Sequence, residues 1–218
     1  KLSFSMTNYI ITAVLFYHRR ILKYQNDKKN KLWDHITHPE ILPINIGILG
    51  FGKLGSDAAD KLKYMGFNVI GYSLNKKEEN GIKIYNGEEM DLFLSKVNVL
   101  VCTVPYTQKT HHLLDKNLFK KLNKETYLVN VSRGKVQCEK DIIKYIDNGT
   151  LSGAFLDVFE IEPLPYSSEI WNHDKIQITP HNASITNEAA AVPQIIENYK
   201  RVVSGKSLIN QVDVDNEY

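Results

Sequence analysis

The spacing of apolar residues changes repeatedly along the chain, and each change predicts an element. From Ser5 to about Gln25, aromatic and aliphatic residues recur at helical spacing without Gly or Pro, and Ser5 offers a short hydroxyl ahead of them. A helix N-capped by Ser5 and buried on more than one side is expected. The charged run Asp27 to Lys31 reads as a solvated turn, and Pro39 with Pro43 as a connector. From Ile44 onward, short β-branched runs alternate with helical periodicity. Strands are predicted over Asn45–Leu49, Asn68–Tyr72, Ile82–Tyr85 (the weakest), Asn98–Thr103, Thr126–Val131, Ser152–Leu156 and Ile176–Thr179. Helices are predicted through Ala58, Ala59, Leu62 and Met65, over Glu88–Leu94, Lys116–Leu122 and Glu139–Asp147, and finally over Asn187–Ser204, with Gly66 and Gly149 as stop signals. Strands apolar almost throughout, separated by helices, indicate an α/β fold. The expected architecture is a doubly wound parallel sheet covered on both faces, with a long N-terminal helix and a C-terminal helix and tail.

Composition narrows the class without fixing it. With 218 residues, 43% of them apolar, the chain has room for one generous domain and an appendage around a real core. Twenty-seven basic against 25 acidic residues leave a net charge of +2, too small to argue for nucleic acid as the partner. Cys102 and Cys138 fit no metal-ligand spacing, so free thiols in a reducing, cytoplasmic setting are expected, with neither a disulfide nor a metal. The apolar run Tyr9–Tyr17 is too short to span a bilayer, and His18, Arg19 and Arg20 stand where a signal cleavage site would need small residues. Because the chain begins at Lys1 and enters a helix almost at once, sequence upstream is expected to be missing.

Gly50, Gly52 and Gly55 stand in G-x-G-x-x-G spacing directly after a predicted strand and before a predicted helix. That context suits a dinucleotide pyrophosphate. The first glycine permits the tight turn, the second a close backbone approach, the third helix–strand packing, and the helix start offers unpaired N–H groups. Where NAD sites carry an acidic residue for the ribose 2′-hydroxyl, this chain has Ser73, eighteen residues after Gly55, followed by Lys76 and Lys77. A hydroxyl and two ammonium groups can receive a 2′-phosphate that a carboxylate would repel, so NADP is expected ahead of NAD. An ordinary solvated lysine pair is the competing reading.

Three strings at predicted strand ends carry the remaining chemistry: VNVSRGK with Arg133, LDVFEIEPLP with Asp157 and Glu162, and ITPHNAS with His181. Reduction of a 2-keto acid needs a cation for the carboxylate, a proton donor to the forming alkoxide, and a group that keeps this donor charged. Arg133, His181 and Glu162 suit those tasks in turn. Each taken singly has a bland alternative as a surface ion-pair, loop or helix-start residue.

The strings GILGFGKLG, TVPYTQKTHHLL, LVNVSRGKV, GAFLDVFEIEPLP and ITPHNASIT, in that order, resemble those of the D-isomer-specific 2-hydroxyacid dehydrogenases over nearly the whole chain. Within that family the likeness is greatest to the glyoxylate/hydroxypyruvate reductase A branch, on SMTNYIITAVLFYHRR, SLNKK and NQVDVDNEY. The resemblance implies a Rossmann domain and NADPH-dependent reduction of small 2-keto acids such as glyoxylate and hydroxypyruvate. It implies Arg133 as the substrate-binding arginine, His181 as acid/base and Glu162 as its partner. Cofactor-lining positions by the same resemblance are Gly50, Phe51, Gly52, Lys53, Leu54, Gly55, Ser73, Lys76, Lys77, Val104, Pro105, Thr110, Val131, Ser132, Arg133, Asp157, His181 and Ala183. Leu74 stands where close relatives tend to carry an arginine facing the 2′-phosphate, which implies a softer preference for NADP.

By the same resemblance, family members begin with a separate half of the substrate domain, and this sequence is expected to lack it. The expected organisation is therefore a dinucleotide-binding domain over 1–186, led by a dimerisation helix, and a C-terminal helix and tail over 187–218 that would return to the substrate domain. A homodimer is implied, with no nucleic acid or membrane partner. The alternatives are a dinucleotide-responsive, corepressor-like binding protein, and a cofactor-binding fragment inactive without its upstream half.

Overall fold

The computed structural model describes residues 2–34, 44–74, 78–184 and 188–211. The chain opens with two helices, α1 (Leu2–His18) and α2 (Ile21–Lys29). The parallel sheet follows as β1 (Asn45–Leu49), α3 (Lys53–Tyr64), β2 (Asn68–Tyr72), β3 (Glu78–Glu79), β4 (Ile82–Tyr85), α4 (Met90–Leu94) and β5 (Val99–Cys102). Its second half is α5 (Lys116–Phe119), β6 (Thr126–Asn130), α6 (Glu139–Asp147), β7 (Leu151–Leu156), β8 (Ile176–Ile178) and α7 (Glu188–Val203). The strand order is β3-β4-β2-β1-β5-β6-β7-β8, parallel throughout except for the two-residue β3, which pairs antiparallel with β4 at the edge.

The apolar strands feed two cores, one on each side of the sheet, as strands buried on both faces must. On one side Met6, Ile10, Ala13 and Val14 of α1 and Ala58, Ala59 and Leu62 of α3 pack on Ile46, Ile48, Val99, Val101 and Val129. On the other, Phe93 and Leu94 of α4, Leu118 and Phe119 of α5, and Ile142 and Ile146 of α6 cover Leu49, Leu100, Leu128 and Leu156. Chain order reverses between β1 and β5: one half of the sheet grows outward from β1, the other from β5. The carboxyl ends of these two strands bound the crevice where open α/β sheets take their ligands.

The strand and helix expectations from β1 to β8 hold to within a residue or two, with α5 a single turn rather than a helix to Leu122. The N-terminal expectation fails in two ways. The helix has begun by Leu2 and breaks at Arg19 and Arg20, where Arg20 adopts a left-handed φ of 53°. Ser5 therefore lies inside α1, and its hydroxyl donates to the Ala183 carbonyl at 3.1 Å instead of capping. The run Asp27–Lys31 is not simply a solvated turn. Asp27 is buried within α2 and held by Lys23 one helical turn earlier, 2.5 Å away. The Pro39–Pro43 connector lies outside the described residues. No described side chain of α7 is buried, and Val192, Ile195, Ile196, Tyr199, Val202 and Val203 are exposed along it.

Candidate active site

The turn after β1 fits the three tasks of its glycines. Gly50 has φ +101°, and a side chain there would collide with the backbone of Val104 at the end of β5. Gly52 is the N-cap of α3, and an added Cβ would meet nothing within 4 Å, which leaves the space a pyrophosphate needs. An added Cβ at Gly55 would lie 2.4 Å from the Gly50 carbonyl oxygen, so α3 starts as close to β1 as a glycine allows. The N–H groups of Gly50 and Phe51 are committed to the Tyr72 carbonyl, each at 3.1 Å. The N–H groups of the first turn of α3, from Lys53, have no partner within the helix and open toward the crevice. Thr103 joins the two strands at this point by donating its hydroxyl to the Gly50 carbonyl at 2.7 Å.

Across the crevice the chemistry is built from side chains. Arg133 follows β6 in extended backbone, exposed, with Nη1 donating to the Ser132 carbonyl at 2.7 Å. The next residue must be small: a Cβ on Gly134 would sit 1.7 Å from the Phe159 carbonyl oxygen. This contact seats the arginine turn against the segment after β7. In that segment, Glu162 accepts the Phe159 N–H on Oε1 at 2.9 Å, while its Oε2 lies 2.7 Å from Nδ1 of His181. Both carboxylate oxygens are thereby engaged, and the imidazole keeps Nε2 for the crevice.

His181 itself holds an unfavourable backbone, with φ 52°. Such a conformation costs a non-glycine residue about 1–2 kcal/mol and needs compensation. Asp157, 1% exposed at the end of β7, supplies it. Its Oδ1 accepts the Asn182 N–H (2.9 Å) and the Thr179 hydroxyl (2.6 Å), its Oδ2 the Ala183 N–H (2.8 Å), and its carbonyl the His181 N–H (2.8 Å). α1 supports the same turn through Ser5 on Ala183 and through the Tyr9 hydroxyl on Thr179. Burial pushes the Tyr9 phenol well above its usual range, so it stays a neutral support.

One cleft of about 770 Å³ gathers Gly50, Gly52, Lys53, Leu54, Gly55, Val104, Pro105, Val131, Ser132, Arg133, Glu162 and His181. Other expected positions serve it from behind. The Phe51 ring is buried under Gly71, where an added Cβ would lie 2.3 Å from it. The Thr110 hydroxyl ties Thr107 and Pro105 together, shaping the loop rather than lining the space. Asp157 spends its carboxylate on the histidine turn, and Ala183 is buried. Ser73 ends β2 half-buried, its N–H on the Tyr85 carbonyl, and Leu74 beside it is exposed. Lys76 and Lys77 lie outside the described residues. Met6, Thr103, Tyr106, Lys135, Phe159 and Glu160 also line the cleft. Lys135 and Glu160 adjoin motif residues and could have been proposed on proximity, whereas Met6 comes from the far end of the sequence and carries no local signal. Burial beside Ser132 pushes the thiol of Cys102 up to about 11, so it stays protonated at neutral pH. Among the described residues no group of His, Cys, Asp and Glu could hold a metal ion, and no helix is long and apolar enough to cross a membrane.

The family model of the D-isomer specific 2-hydroxyacid dehydrogenase NAD binding domain matches residues 11–183. The glyoxylate/hydroxypyruvate reductase A of Yersinia enterocolitica is 34% identical over 214 residues, which cover 98% of this chain and 68% of that protein. The protein of the same name from Escherichia fergusonii is 36% identical over 95% of this chain and 67% of its own length. Among solved structures, a D-isomer specific 2-hydroxyacid dehydrogenase from Xanthobacter autotrophicus in complex with NADPH and MES superposes with a TM-score of 0.96 at 34% identity, over 100% of this chain and 90% of that one. An NADPH-dependent glyoxylate/hydroxypyruvate reductase from Sinorhizobium meliloti, in complex with NADP and sulfate, gives 0.95 at 34% identity, over 100% of this chain and 70% of the other. The chain thus spans about two thirds of the curated relatives' length.

Proposed function

We propose, from the premise that the chain belongs to the D-isomer specific 2-hydroxyacid dehydrogenase family, that it carries the cofactor site and reacting groups of an NADPH-dependent reductase of small 2-keto acids. Glyoxylate and hydroxypyruvate are the proposed substrates, on the likeness to the named reductases. The observation that carries the reading is the 2.7 Å contact of His181 with Glu162 inside the cleft that also holds Arg133 and the glycine turn.

In this reading the main chain at Gly52–Leu54 binds the pyrophosphate, and the residues after β2 receive the adenine ribose. Tyr72, Ser73 and Leu74 offer no carboxylate there to repel a 2′-phosphate, which favours NADP; NAD remains the weaker alternative. When bound, the nicotinamide supplies a hydride. Arg133 holds the substrate carboxylate and draws charge from the ketone oxygen. His181 donates a proton from Nε2 to that oxygen, while Glu162 holds the ring through Nδ1 and fixes its orientation. Asp157, through the histidine turn, is a positioning residue.

A homodimer through α1 belongs to the same proposal. The helix leaves Phe4 70% exposed and covers Tyr9, Ile11, Leu15 and Phe16 only in part. Sedimentation of the protein at micromolar concentration should show a dimer; monomer alone removes this part. The reaction is tested by following NADPH oxidation with glyoxylate, with hydroxypyruvate and without substrate, for this chain and for a version carrying its upstream sequence. Turnover with either acid is expected. Tight NADPH binding without turnover in both versions would instead favour a dinucleotide-responsive binding protein.

A further inference from the structure

Between the arginine turn and the glutamate segment lies a buried polar chain that the reaction does not itself require. Asn130, the last residue of β6, is fully buried. Its Oδ1 accepts both the Ser132 N–H (3.0 Å) and the Ser132 hydroxyl (2.8 Å), and its Nδ2 donates to Oε1 of Gln137 at 2.8 Å. Gln137, also fully buried, passes the connection on, with Nε2 donating to the Val158 carbonyl at 2.9 Å. Two residues further along each segment, the backbone N–H of Glu139 donates to the Glu160 carboxylate and that of Glu160 to the Glu139 carboxylate, both at 2.7 Å.

These contacts occur where the sheet can no longer supply them. The last ladder bond between β6 and β7 runs from the Asp157 N–H to the Asn130 carbonyl, and beyond it the strands diverge into separate turns. One turn carries Arg133; the other leads to Glu162 and so to His181. We infer that Gln137 is a positioning residue that fixes the separation of the Arg133 guanidinium from the Glu162–His181 pair by bridging β6 and β7 beyond their last ladder bond. The inference rests on the reading of Arg133 and His181 given above for its catalytic consequence, but not for the mechanical coupling itself. A buried amide is suited to the task because it must donate on one side and accept on the other. A side chain with only one of these capacities leaves a buried partner unsatisfied.

The test uses Gln137→Leu, which removes both bonds, and Gln137→Glu, whose carboxylate still accepts from Asn130 but cannot donate to Val158. Amide hydrogen exchange is followed at Ser132, in the arginine turn, and at Phe159, whose N–H is held by Glu162. Affinity for oxamate, a non-reducible 2-keto acid analogue, is measured on the protein–NADPH complex. In Gln137→Leu both amides should exchange about tenfold faster or more, and oxamate should bind about tenfold more weakly, the scale expected when binding groups lose their spacing. The NADPH dissociation constant should stay within about twofold, because the hydrogen-bond partners of the Gln137 side chain, Asn130 and Val158, lie outside the glycine turn. Gln137→Glu should behave similarly at alkaline pH, where its buried carboxyl is ionised, and recover toward wild type as pH falls, since a protonated carboxyl can donate to Val158. This recovery, taken as a ratio to wild type at each pH, keeps the inference testable if the leucine variant does not fold. Faster exchange at Ser132 with Phe159 unchanged would overturn the coupling, as would unaltered oxamate affinity alongside wild-type exchange. If wild-type protein neither binds oxamate nor turns over, the proposed reaction fails, and the exchange data alone still decide the coupling.

Discussion

The turn after β1 and the turns after β6, β7 and β8 face one cleft but are made of different materials. The first is main chain: three glycines, a helix start and two N–H groups returned to Tyr72. Everything it offers a ligand comes from within six consecutive residues. The second is a set of side chains from three distant segments, and its exposed members depend on buried ones. Arg133 depends on Gly134 and Asn130, Glu162 on the Phe159 N–H, and His181 on Asp157. Cofactor binding should therefore tolerate damage to the reacting end, whereas the reacting end has little tolerance of its own.

The largest separation of the two regions is expected from Arg133→Ala. Turnover with a 2-keto acid should fall about 10²–10⁴-fold while the NADPH dissociation constant stays within about threefold, as steady-state kinetics and fluorescence titration would show. A parallel loss of cofactor affinity would mean that the regions are not independent. Next comes a pair of glycine substitutions. Gly134→Ala forces a methyl carbon into the Phe159 carbonyl and should destabilise the protein by about 3 kcal/mol in chemical denaturation. Gly52→Ala meets open space and should cost less than about 1 kcal/mol of stability, yet weaken NADPH measurably. Asp157→Asn should cost about 2 kcal/mol, because an amide group replaces a carboxylate oxygen that accepts the N–H of Ala183 or Asn182. The same variant should lower turnover by loosening the histidine turn.

The smallest effect concerns Glu139. Burial pushes its carboxyl above the ordinary 4.5, with the nearby Glu160 carboxylate adding to the shift. A raised folded-state value favours the folded protein below the unfolded value and withdraws that stability as pH rises through the folded one. Glu139→Gln keeps an acceptor for the Glu160 N–H and escapes this withdrawal. It should be more stable than wild type at neutral pH and lose that advantage below about pH 4.5. Paired denaturation curves at the two pH values check the sign.

The same contrast explains what could be read from the chain alone. Gly50, Gly52 and Gly55 were legible because spacing and context lie within one βα unit. Arg133, Glu162 and His181 were legible as residue types at strand ends, but the supports beneath them were not. Asp157 reads as a cofactor-lining acid, and only the fold shows its carboxylate turned onto residues 179–183. Gln137 has no local signal, because its partners Asn130 and Val158 become neighbours only when β6 and β7 pair. At the N-terminus, helical periodicity runs on past Arg20 without a Gly or Pro to mark the break, and the Ser5 hydroxyl, read as a cap, reaches a carbonyl 178 positions away. The parallel strands were clear from their continuous apolar runs, whereas the two acidic residues of β3 pair only because β4 lies beside them.

The central claim is that His181, steadied by Glu162, hands a proton to a substrate held by Arg133. Its most direct test is the pH dependence of kcat/KM for hydroxypyruvate reduction by wild type and His181→Gln. Wild-type activity should decline toward alkaline pH, and the variant should be at least about 10²-fold slower with that decline abolished. A His181→Gln protein that kept both the wild-type rate and its alkaline decline would contradict the account.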